Sequence, residues 1–350
     1  MAAGASLALL ALPLCRADAQ ETPELRFSKE GKFKIVQFTD THYSDLESKE
    51  KGESREVMAA RAAKLKESLF ATMNRVLDDE RPNLVVFTGD NVLTANNPFE
   101  HWRQLVAPAV ERGIPWAAVL GNHDSECVHE SPRAIMGFLE TLPLSLCKRG
   151  PEELGGGGNY AASVKSASLT QARAALYFMD TGAYADKSLA EGYAWVGFDK
   201  TQWFRKQASE FTKANGGKPL PSLVFLHIPP PEFKEALATS KFIGAKKEAV
   251  CCPELNSGLF VAMLESRSVL GCFSGHDHDN NCAASFHGIL LAYGCKTGEF
   301  CYFHHPLGGA RVIELEEGKR SFSTWLRLGN GAQESLICYP DSFPPPRKAK

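Results

Sequence analysis

The stretch of residues 33–42 reads Phe-Lys-Ile-Val-Gln-Phe-Thr-Asp-Thr-His. Its first seven residues are rich in β-branched and aromatic side chains, which is typical of a buried strand. The strand is followed at once by Asp40 and His42, whose side chains are common metal ligands. The stretch therefore predicts a core strand that ends at a functional site.

Two further strands follow, each separated from the last by a helix. Apolar residues recur at helical spacing from Arg55 to Asp79. Strands are predicted at 84–88 and 116–120, with a helix over about 99–111 between them. This β-α-β-α-β alternation predicts a right-handed, largely parallel sheet. Ligands bind such sheets at the carboxyl ends of the strands.

The second half of the chain predicts more strands and one more helix. Strands are expected at 174–179, 223–226 and 269–274, and a helix at 201–212. Segments 289–293, 311–315 and 321–326 alternate like antiparallel strands with no helix between them. We therefore predict an α/β fold with two packed mixed β-sheets flanked by helices. The predicted organisation is a signal peptide over 1–19, a catalytic domain over 30–330 and a C-terminal tail over 331–350.

The signal peptide rests on a short apolar run from Ala5 to Leu14, followed by Ala17-Asp18-Ala19, a pattern that signal peptidase cleaves. The run is too short for a stable membrane anchor, and no later stretch offers about 18 continuous apolar residues. We therefore expect a protein that is secreted or held in the secretory lumen, including a vacuole-type compartment. A cytosolic protein with an apolar N-terminus is the alternative.

Charge and cysteine content narrow the function classes. The 350 residues include 39 Lys and Arg against 41 Asp and Glu, so there is no global positive field to hold nucleic acid. Ten cysteines are present, and no Cys-x-x-Cys pair occurs that would indicate a structural zinc knuckle. Disulfides among Cys251, Cys252, Cys282, Cys295 and Cys301 would suit an oxidising compartment, with connectivity left open.

Five polar clusters follow apolar strands in order along the chain. A single cluster of this kind is weak evidence for a metal site, because a lone histidine after a strand is usually packed or solvated. Recurrence is the signal, and it predicts that five strand ends deliver their polar side chains to the same edge of one sheet. The clusters are Asp40-Thr41-His42, Gly89-Asp90-Asn91, Gly121-Asn122-His123-Asp124, the segment 224–227 ending at His227, and Gly275-His276-Asp277-His278.

The chemistry of these clusters points to two metal ions. Imidazole and carboxylate donors without thiolate suit iron, manganese or zinc, in divalent or trivalent form. Seven protein donors exceed the need of one ion, and two ions that share a carboxylate account for the surplus. Glycines beside Asp90, Asn122 and His276 allow the tight turns that bring the backbone close to the ions.

The ordered set resembles the calcineurin-like metallophosphoesterase superfamily, whose pattern is Asp-x-His, Gly-Asp, Gly-Asn-His-Asp/Glu, His and Gly-His-x-His. The resemblance runs from about Phe33 to His278. Within it, residues 224–233 together with Gly275-His276-Asp277-His278 are similar to the plant and fungal group called purple acid phosphatase-like, some of whose members are labelled inactive. The resemblance implies a four-layer α/β/β/α sandwich.

The resemblance also implies roles for individual residues. One metal would be held by Asp40, His42, Asp90 and His278, with Asp90 bridging to a second metal held by Asn122, His227 and His276. His123 would act as general acid or charge stabiliser toward the phosphate, and Asp124 would orient it. A hydroxide bridging the two metals would attack phosphorus in line.

One departure from the purple enzymes concerns colour. Those enzymes have a tyrosinate ligand three residues after the bridging aspartate, where this chain has Leu93, and they lack an imidazole at the position of His42. We therefore expect a colourless protein with a different metal pair.

Phosphomonoester hydrolysis is the leading interpretation, with a phosphorylated small molecule or phosphoprotein as substrate. A phosphodiesterase acting on cyclic nucleotides or phospholipid headgroups would use the same metal core. A non-catalytic, secreted metal-binding protein is the third reading, against which the pair His123 and Asp124 speaks.

Overall fold

The computed structural model describes residues 22–93, 97–126 and 130–344; the predicted signal peptide lies outside these ranges. Within them the chain forms fourteen strands and six α-helices. The strands are β1 (Leu25–Arg26), β2 (Lys32–Phe38), β3 (Leu84–Thr88), β4 (Trp116–Val119), β5 (Tyr160–Lys165), β6 (Ala172–Phe178), β7 (Ser222–Phe225), β8 (Phe242–Ile243), β9 (Val269–Ser274), β10 (Ala283–Phe286), β11 (Ile289–Tyr293), β12 (Gly309–Glu316), β13 (Phe322–Leu328) and β14 (Gln333–Tyr339). The helices are α1 (Arg55–Glu80), α2 (Pro98–Glu111), α3 (Pro132–Leu139), α4 (Phe198–Ala214), α5 (Glu232–Thr239) and α6 (Leu259–Ser266).

The longest helix begins and ends where its sequence dictates. The Ser54 side chain accepts a hydrogen bond from the Val57 amide at the N-terminus of α1. At the other end, Arg81 adopts a left-handed conformation and Pro82 follows, which cannot continue a helix. The helix thus returns the chain to the start of β3.

The first sheet has six strands in the order β14-β13-β12-β2-β3-β4. The neighbours β2, β3 and β4 run parallel, as the alternation of strands and helices predicts. Strands β12, β13 and β14 continue the sheet antiparallel from the other side of β2. The carboxyl ends of three parallel strands are therefore adjacent.

The second sheet has eight strands in the order β1-β5-β6-β7-β9-β11-β10-β8. Its centre, from β6 to β11, is parallel. The expected antiparallel arrangement is wrong in part for Ile289–Tyr293, which pairs parallel with β9 and antiparallel with β10. A short alternating segment fits either neighbour, so its pattern alone could not decide the direction.

The two sheets pack face to face, with helices outside both. In β6, Leu176 and Phe178 join the core between the sheets, whereas Ala175 and Tyr177 face the core formed with α4, α5 and α6. Helix α1 packs on the outer face of the first sheet, against β12 and β13. This is the predicted four-layer arrangement of two mixed sheets flanked by helices, and the prediction of fold class is confirmed.

The folded unit extends beyond both ends of the predicted domain. Strand β14 lies in the segment assigned to a tail, yet it pairs along its length with β13. Strand β1 precedes residue 30 and pairs with β5. The predicted boundary at residue 330 is corrected accordingly, because alternation in the short segment 333–339 is too weak to mark an edge strand by itself.

All eight cysteines in the described ranges are free thiols, including the five considered for disulfides; Cys15 and Cys127 lie outside those ranges. None of the described helices has the length and apolar character needed to cross a bilayer.

Candidate metal centre

The predicted ligands meet in one place, at the carboxyl ends of strands from both sheets. The ends of β2, β3 and β4 in the first sheet supply four of them, and the ends of β7 and β9 in the second sheet supply three. The expectation that all five clusters lie on one sheet is therefore wrong. The pattern of a strand followed by a ligand does not say to which sheet the strand belongs. The four are Asp40, His42, Asp90 and Asn122, and the three are His227, His276 and His278.

Six of these residues form two groups that share Asp90. In the first group, ligand atoms of Asp40, His42, Asp90 and His278 all lie within 4.8 Å of one another. In the second, the same limit holds for Asp90, His227 and His276. All six residues are buried. Two adjoining groups with a common carboxylate form an arrangement suited to two metal ions.

The turns that present these ligands have unusual backbone geometry. Asp40, Asp90 and His276 have φ angles of 51°, 50° and 79°, in the left-handed region that non-glycine residues rarely adopt. A Cβ on Gly121 would lie 2.2 Å from Oδ1 of Asp90, and one on Gly275 would lie 2.6 Å from Oδ2 of Asp40. The glycines therefore allow the strands to bring the carboxylates together, and the strain marks a functional site.

Hydrogen bonds leave the inner nitrogen of two histidines free to bind a cation. The Nδ1 atom of His227 donates to the Thr88 carbonyl at 2.8 Å, and Nδ1 of His278 donates to the Tyr302 carbonyl at 3.0 Å. Such bonds fix the ring so that Nε2 is the ligand.

Several possible ligand atoms in the group are buried without a hydrogen-bond partner, among them Oδ1 of Asn122, Nε2 of His227 and both ring nitrogens of His276. The Nε2 atoms of His42 and His278 lie 2.8 Å apart. Because buried polar atoms are normally satisfied, these inward-facing donors fit two cations.

Burial favours the neutral, metal-binding form of most histidines in the group. Burial lowers the pKa of His276 to about 3, and the charge of His227 adds to this effect. Burial also lowers the pKa of His42 and His278 well below the usual range. The rings are thus neutral and available as ligands. Burial would lower the pKa of His227 too, but the carboxylate of Asp90, at 3.1 Å, outweighs it and raises the pKa to about 9.

A fully buried lysine lies behind the cluster. Lys296 donates from Nζ to the backbone carbonyl of Asp40 at 2.6 Å. Burial lowers the pKa of Lys296 to about 8, although the carboxylate of Asp40 opposes the shift. The amine offsets part of the negative charge of Asp40 and Asp90 and anchors the turn of Asp40. No sequence pattern marks Lys296 as part of this cluster.

The two residues predicted to be catalytic differ in their surroundings. The His123 side chain is 32% exposed, and its ring centroid lies 5.6 Å from that of His42. Its backbone amide donates to Oδ1 of Asp90 at 2.8 Å. His123 is therefore held at the open side of the cluster, where a bound molecule could reach it.

Asp124 is fully buried and does not orient His123. Its carboxylate accepts hydrogen bonds from the backbone amides of Asn91, Val92 and Gly121. It thereby joins the turn after β3 to the turn after β4, and burial raises its pKa to about 6. The predicted role of Asp124 is corrected, since its neighbour in sequence points to the solvent side while Asp124 points inward.

The side chain that contacts His123 is Glu126, whose carboxylate accepts a hydrogen bond from Nδ1. Its other oxygen accepts from the hydroxyl of Tyr184 at 3.2 Å. The hydroxyl of Tyr184 in turn accepts from Nδ2 of Asn122 at 3.4 Å. The sequence patterns did not predict Glu126 or Tyr184 at this site, although the three-residue spacing between His123 and Glu126 is a local signal.

Aromatic rings border the cluster on two sides. Tyr193 packs edge-on against His276 with centroids 4.4 Å apart, and Tyr184 stacks on Tyr193. On the other side Tyr302 stacks on His278 at 4.2 Å. Tyr184 and Tyr302 are each about half exposed. They therefore lie at the exposed edge of the cluster.

Comparison with known proteins agrees with this geometry. The pattern of the Calcineurin-like phosphoesterase family matches residues 33–280. A solved structure of a dimetal phosphatase from Danio rerio superposes with a TM-score of 0.56, over 88% of this chain and 99% of that one, at 13% sequence identity. The likeness in structure supports the fold.

Similar sequences carry two kinds of name. The chain is 31% identical to "Probable inactive purple acid phosphatase 14" of Arabidopsis thaliana, over 91% of this chain and 84% of the relative. It is 32% identical to "Probable inactive purple acid phosphatase 29" of the same plant, over 92% and 88%. It is also 32% identical to "Phosphatase DCR2" of Saccharomyces cerevisiae, over 89% of this chain and 56% of the relative.

Proposed function

Because the chain belongs to the calcineurin-like phosphoesterase family, we propose that it hydrolyses phosphate monoesters at a site that holds two metal ions. The observation that carries the proposal is the pair of buried ligand groups joined by Asp90, with an exposed imidazole beside them. A site that only stabilised the fold would have no use for a positioned, solvent-accessible His123.

The metal ligands we propose are Asp40, His42, Asp90 and His278 for one ion, and Asp90, Asn122, His227 and His276 for the other. Iron, manganese or zinc would fit this donor set. When bound, such a pair of ions stabilises charge on a transferring phosphoryl group and activates water. The residues of the chain fix the ligand atoms, exclude bulk water from the buried side and present His123 to the substrate.

His123 is the residue that we propose to move a proton. With Nδ1 bonded to Glu126, Nε2 is the nitrogen left to meet the ester. A proton given from Nε2 to the leaving oxygen prevents the release of an unstable alkoxide or phenoxide. General acid catalysis of this kind contributes about 100- to 10,000-fold to a rate.

The experiment compares initial rates on p-nitrophenyl phosphate and bis-p-nitrophenyl phosphate with metal-loaded protein. We expect the monoester to react faster than the diester. On phenyl phosphate, whose more basic leaving group needs a proton, His123→Ala should lower turnover by about 100-fold or more, with metal content unchanged. Faster reaction of the diester would favour the phosphodiesterase alternative. Unchanged turnover of His123→Ala would overturn the role given to this residue.

A non-catalytic metal-binding protein is the second candidate, and the names of the two Arabidopsis thaliana relatives favour it. It predicts full metal content with no phosphate release from any ester. The name of the yeast relative, a phosphatase, favours catalysis.

The proposal extends to substrate and compartment. We propose a phosphorylated small molecule or phosphoprotein as substrate, without nucleic acid partners or a stable membrane anchor. Secretion, or retention in a secretory or vacuole-type lumen, rests on the predicted signal peptide over 1–19. Detection of the mature N-terminus near Gln20 in secreted protein would test it.

A further inference from the structure

Glu126 and Tyr184, from separate loops, meet at the edge of the metal centre. Glu126 contacts the proposed proton donor His123, and Tyr184 contacts the proposed metal ligand Asn122. Glu126 lies in the loop after β4, and Tyr184 lies 58 residues later in the loop between β6 and α4. Neither is a metal ligand in the arrangement above. Their position nevertheless links His123 to Asn122.

The first link concerns His123. A carboxylate accepts hydrogen bonds and does not donate them, so the contact with Glu126 places a proton on Nδ1 of His123. It also holds the plane of the ring. A histidine that is one-third exposed would otherwise sample several rotamers. The contact thus selects one nitrogen, Nε2, for the substrate.

The second link concerns Asn122. Its Nδ2 donates to the hydroxyl of Tyr184, which decides the orientation of the amide. The oxygen Oδ1 is then the inward atom, and it is buried without a partner. An amide turned the other way would present N–H groups, which cannot bind a cation. Tyr184 therefore selects the ligand atom of Asn122.

Tyr184 is itself held in place. Its ring stacks on Tyr193 with centroids 6.0 Å apart and planes at 22°, and Tyr193 packs on His276. Its hydroxyl donates to Oε1 of Glu126, while the other oxygen of that carboxylate serves His123. The hydroxyl of Tyr184 thus orients Asn122 on one side and Glu126 on the other.

We propose that Glu126 and Tyr184 are positioning residues, which set His123 as proton donor to the leaving group and set Asn122 as a metal ligand. This inference rests on the proposed phosphoesterase function. In the reaction a water oxygen bonds to phosphorus and the ester P–O bond breaks, its electron pair staying on the leaving oxygen. His123 acts here in its doubly protonated form, with one proton on Nδ1 toward Glu126 and one on Nε2. The leaving oxygen takes the proton from Nε2, and the proton lost by water passes to solvent, from which Nε2 is reprotonated.

The test uses two aryl esters that differ only in the leaving group. Phenoxide is more basic than p-nitrophenoxide, so it depends more on a proton donor. Removing the acceptor with Glu126→Ala should lower kcat on phenyl phosphate by about 10- to 100-fold and kcat on p-nitrophenyl phosphate by less than about 3-fold, with KM little changed. Glu126→Gln keeps an acceptor for Nδ1 and should restore most of the phenyl phosphate rate.

Tyr184→Phe removes the hydroxyl and keeps the stacked ring. We expect it to weaken binding of one of two Mn²⁺ ions by about 10-fold or more in a calorimetric titration of metal-free protein, whereas Glu126→Ala leaves both affinities unchanged. It should also lower the rate on phenyl phosphate more than on p-nitrophenyl phosphate. The control is Glu191→Ala, an exposed carboxylate of the same loop, which should match wild type in both measurements.

The outcomes distinguish a failure of the proposed function from a failure of the roles given to Glu126 and Tyr184. Wild-type protein that hydrolyses neither ester would overturn the proposed function and the inference with it. Wild-type turnover combined with an unaltered ratio of the two rates in Glu126→Ala would overturn the role of Glu126 alone. Unchanged Mn²⁺ affinities in Tyr184→Phe would overturn the role of Tyr184 in orienting Asn122.

Discussion

At residue 89 two independent constraints demand glycine. Its φ angle is +89°, and a Cβ would lie 2.3 Å from Nδ1 of His227. That nitrogen donates to the Thr88 carbonyl and thereby points Nε2 of His227 at Asp90. Gly89 thus permits a strand of one sheet to touch a ligand supplied by the other.

Gly89→Ala should therefore displace the His227 ring and lower metal content, with activity falling by about 10- to 100-fold. The matched control is Gly52→Ala, where φ is +91° and nothing lies within 4 Å of the added Cβ. That variant should lose about 1 kcal/mol of stability from backbone strain and retain its metals. Elemental analysis and urea unfolding of both variants check the prediction, and equal metal loss in the two would refute it.

Asp90 is the residue common to both ligand groups. Asp90→Asn should reduce bound metal from two ions to one or none and lower turnover by at least about 100-fold, because an amide is a poor bridge. The control Asp186→Asn changes an exposed carboxylate of the 180–197 loop. Two ions retained in Asp90→Asn would show that this carboxylate does not bridge.

The sequence predicted which side chains meet at the strand ends because each of them follows a strand, so local pattern and chemistry coincide. Glu126 and Tyr184 escaped prediction since their contact joins two loops and depends on how those loops fold. The predicted role of Asp124 is wrong for a related reason. Adjacent residues in a turn point in different directions, and no periodicity tells which one faces the metal side.

Among the elements, α1 is tied to the first sheet by a buried carboxylate. Glu80, at its last turn, accepts hydrogen bonds from Lys34 of β2 and from Trp325 and Arg327 of β13, at 3.1, 2.9 and 2.7 Å. Burial raises the pKa of Glu80, but these three donors outweigh it, so the pKa lies below its ordinary value. The helix is thus fixed by charge as well as by its apolar face.

Glu80→Gln should lower the free energy of unfolding by about 1–3 kcal/mol at neutral pH, because buried cationic donors lose their charged acceptor. A lowered folded-state pKa means that Glu80 contributes stability above the unfolded pKa and loses it as pH falls through the folded value. The difference in unfolding free energy between wild type and Glu80→Gln should thus decrease below about pH 4.5. Urea unfolding midpoints measured across this pH range test the prediction, with the exposed Glu67→Gln of the same helix as control. A difference in unfolding free energy that stays constant with pH would contradict the role given to Glu80.

For elements as for residues, sequence succeeded where the signal is local. The parallel β2-β3-β4 unit was predictable from alternating strand and helix patterns. The direction of β11 and the membership of β14 in the sheet were not, since short strands take their direction and partner from tertiary packing.

Across the whole molecule, the metal centre joins the two sheets. Asp40 and Asp90 come from the first sheet and His227, His276 and His278 from the second. Ions bound there would bridge the halves of the fold. Sequence could place these ligands at strand ends, but not assign the strands to two sheets, because hydrogen-bond pairing between distant strands leaves no local mark.

Removal of metal by a chelator should therefore lower the melting temperature of the whole chain. A ligand present at about 100 times its dissociation constant stabilises the folded state by about 2.7 kcal/mol. The shift should be reversed by returning metal, and it should be smaller in Asp90→Asn. A melting temperature that the chelator does not change would contradict a bridging role for the ions.

The most direct test of the two-metal account is to titrate chelated, metal-free protein with Mn²⁺ while following phosphate release from phenyl phosphate. We expect release to rise until about two equivalents per chain are bound and then to remain constant. Saturation at one equivalent, or two bound ions without phosphate release, would contradict the account.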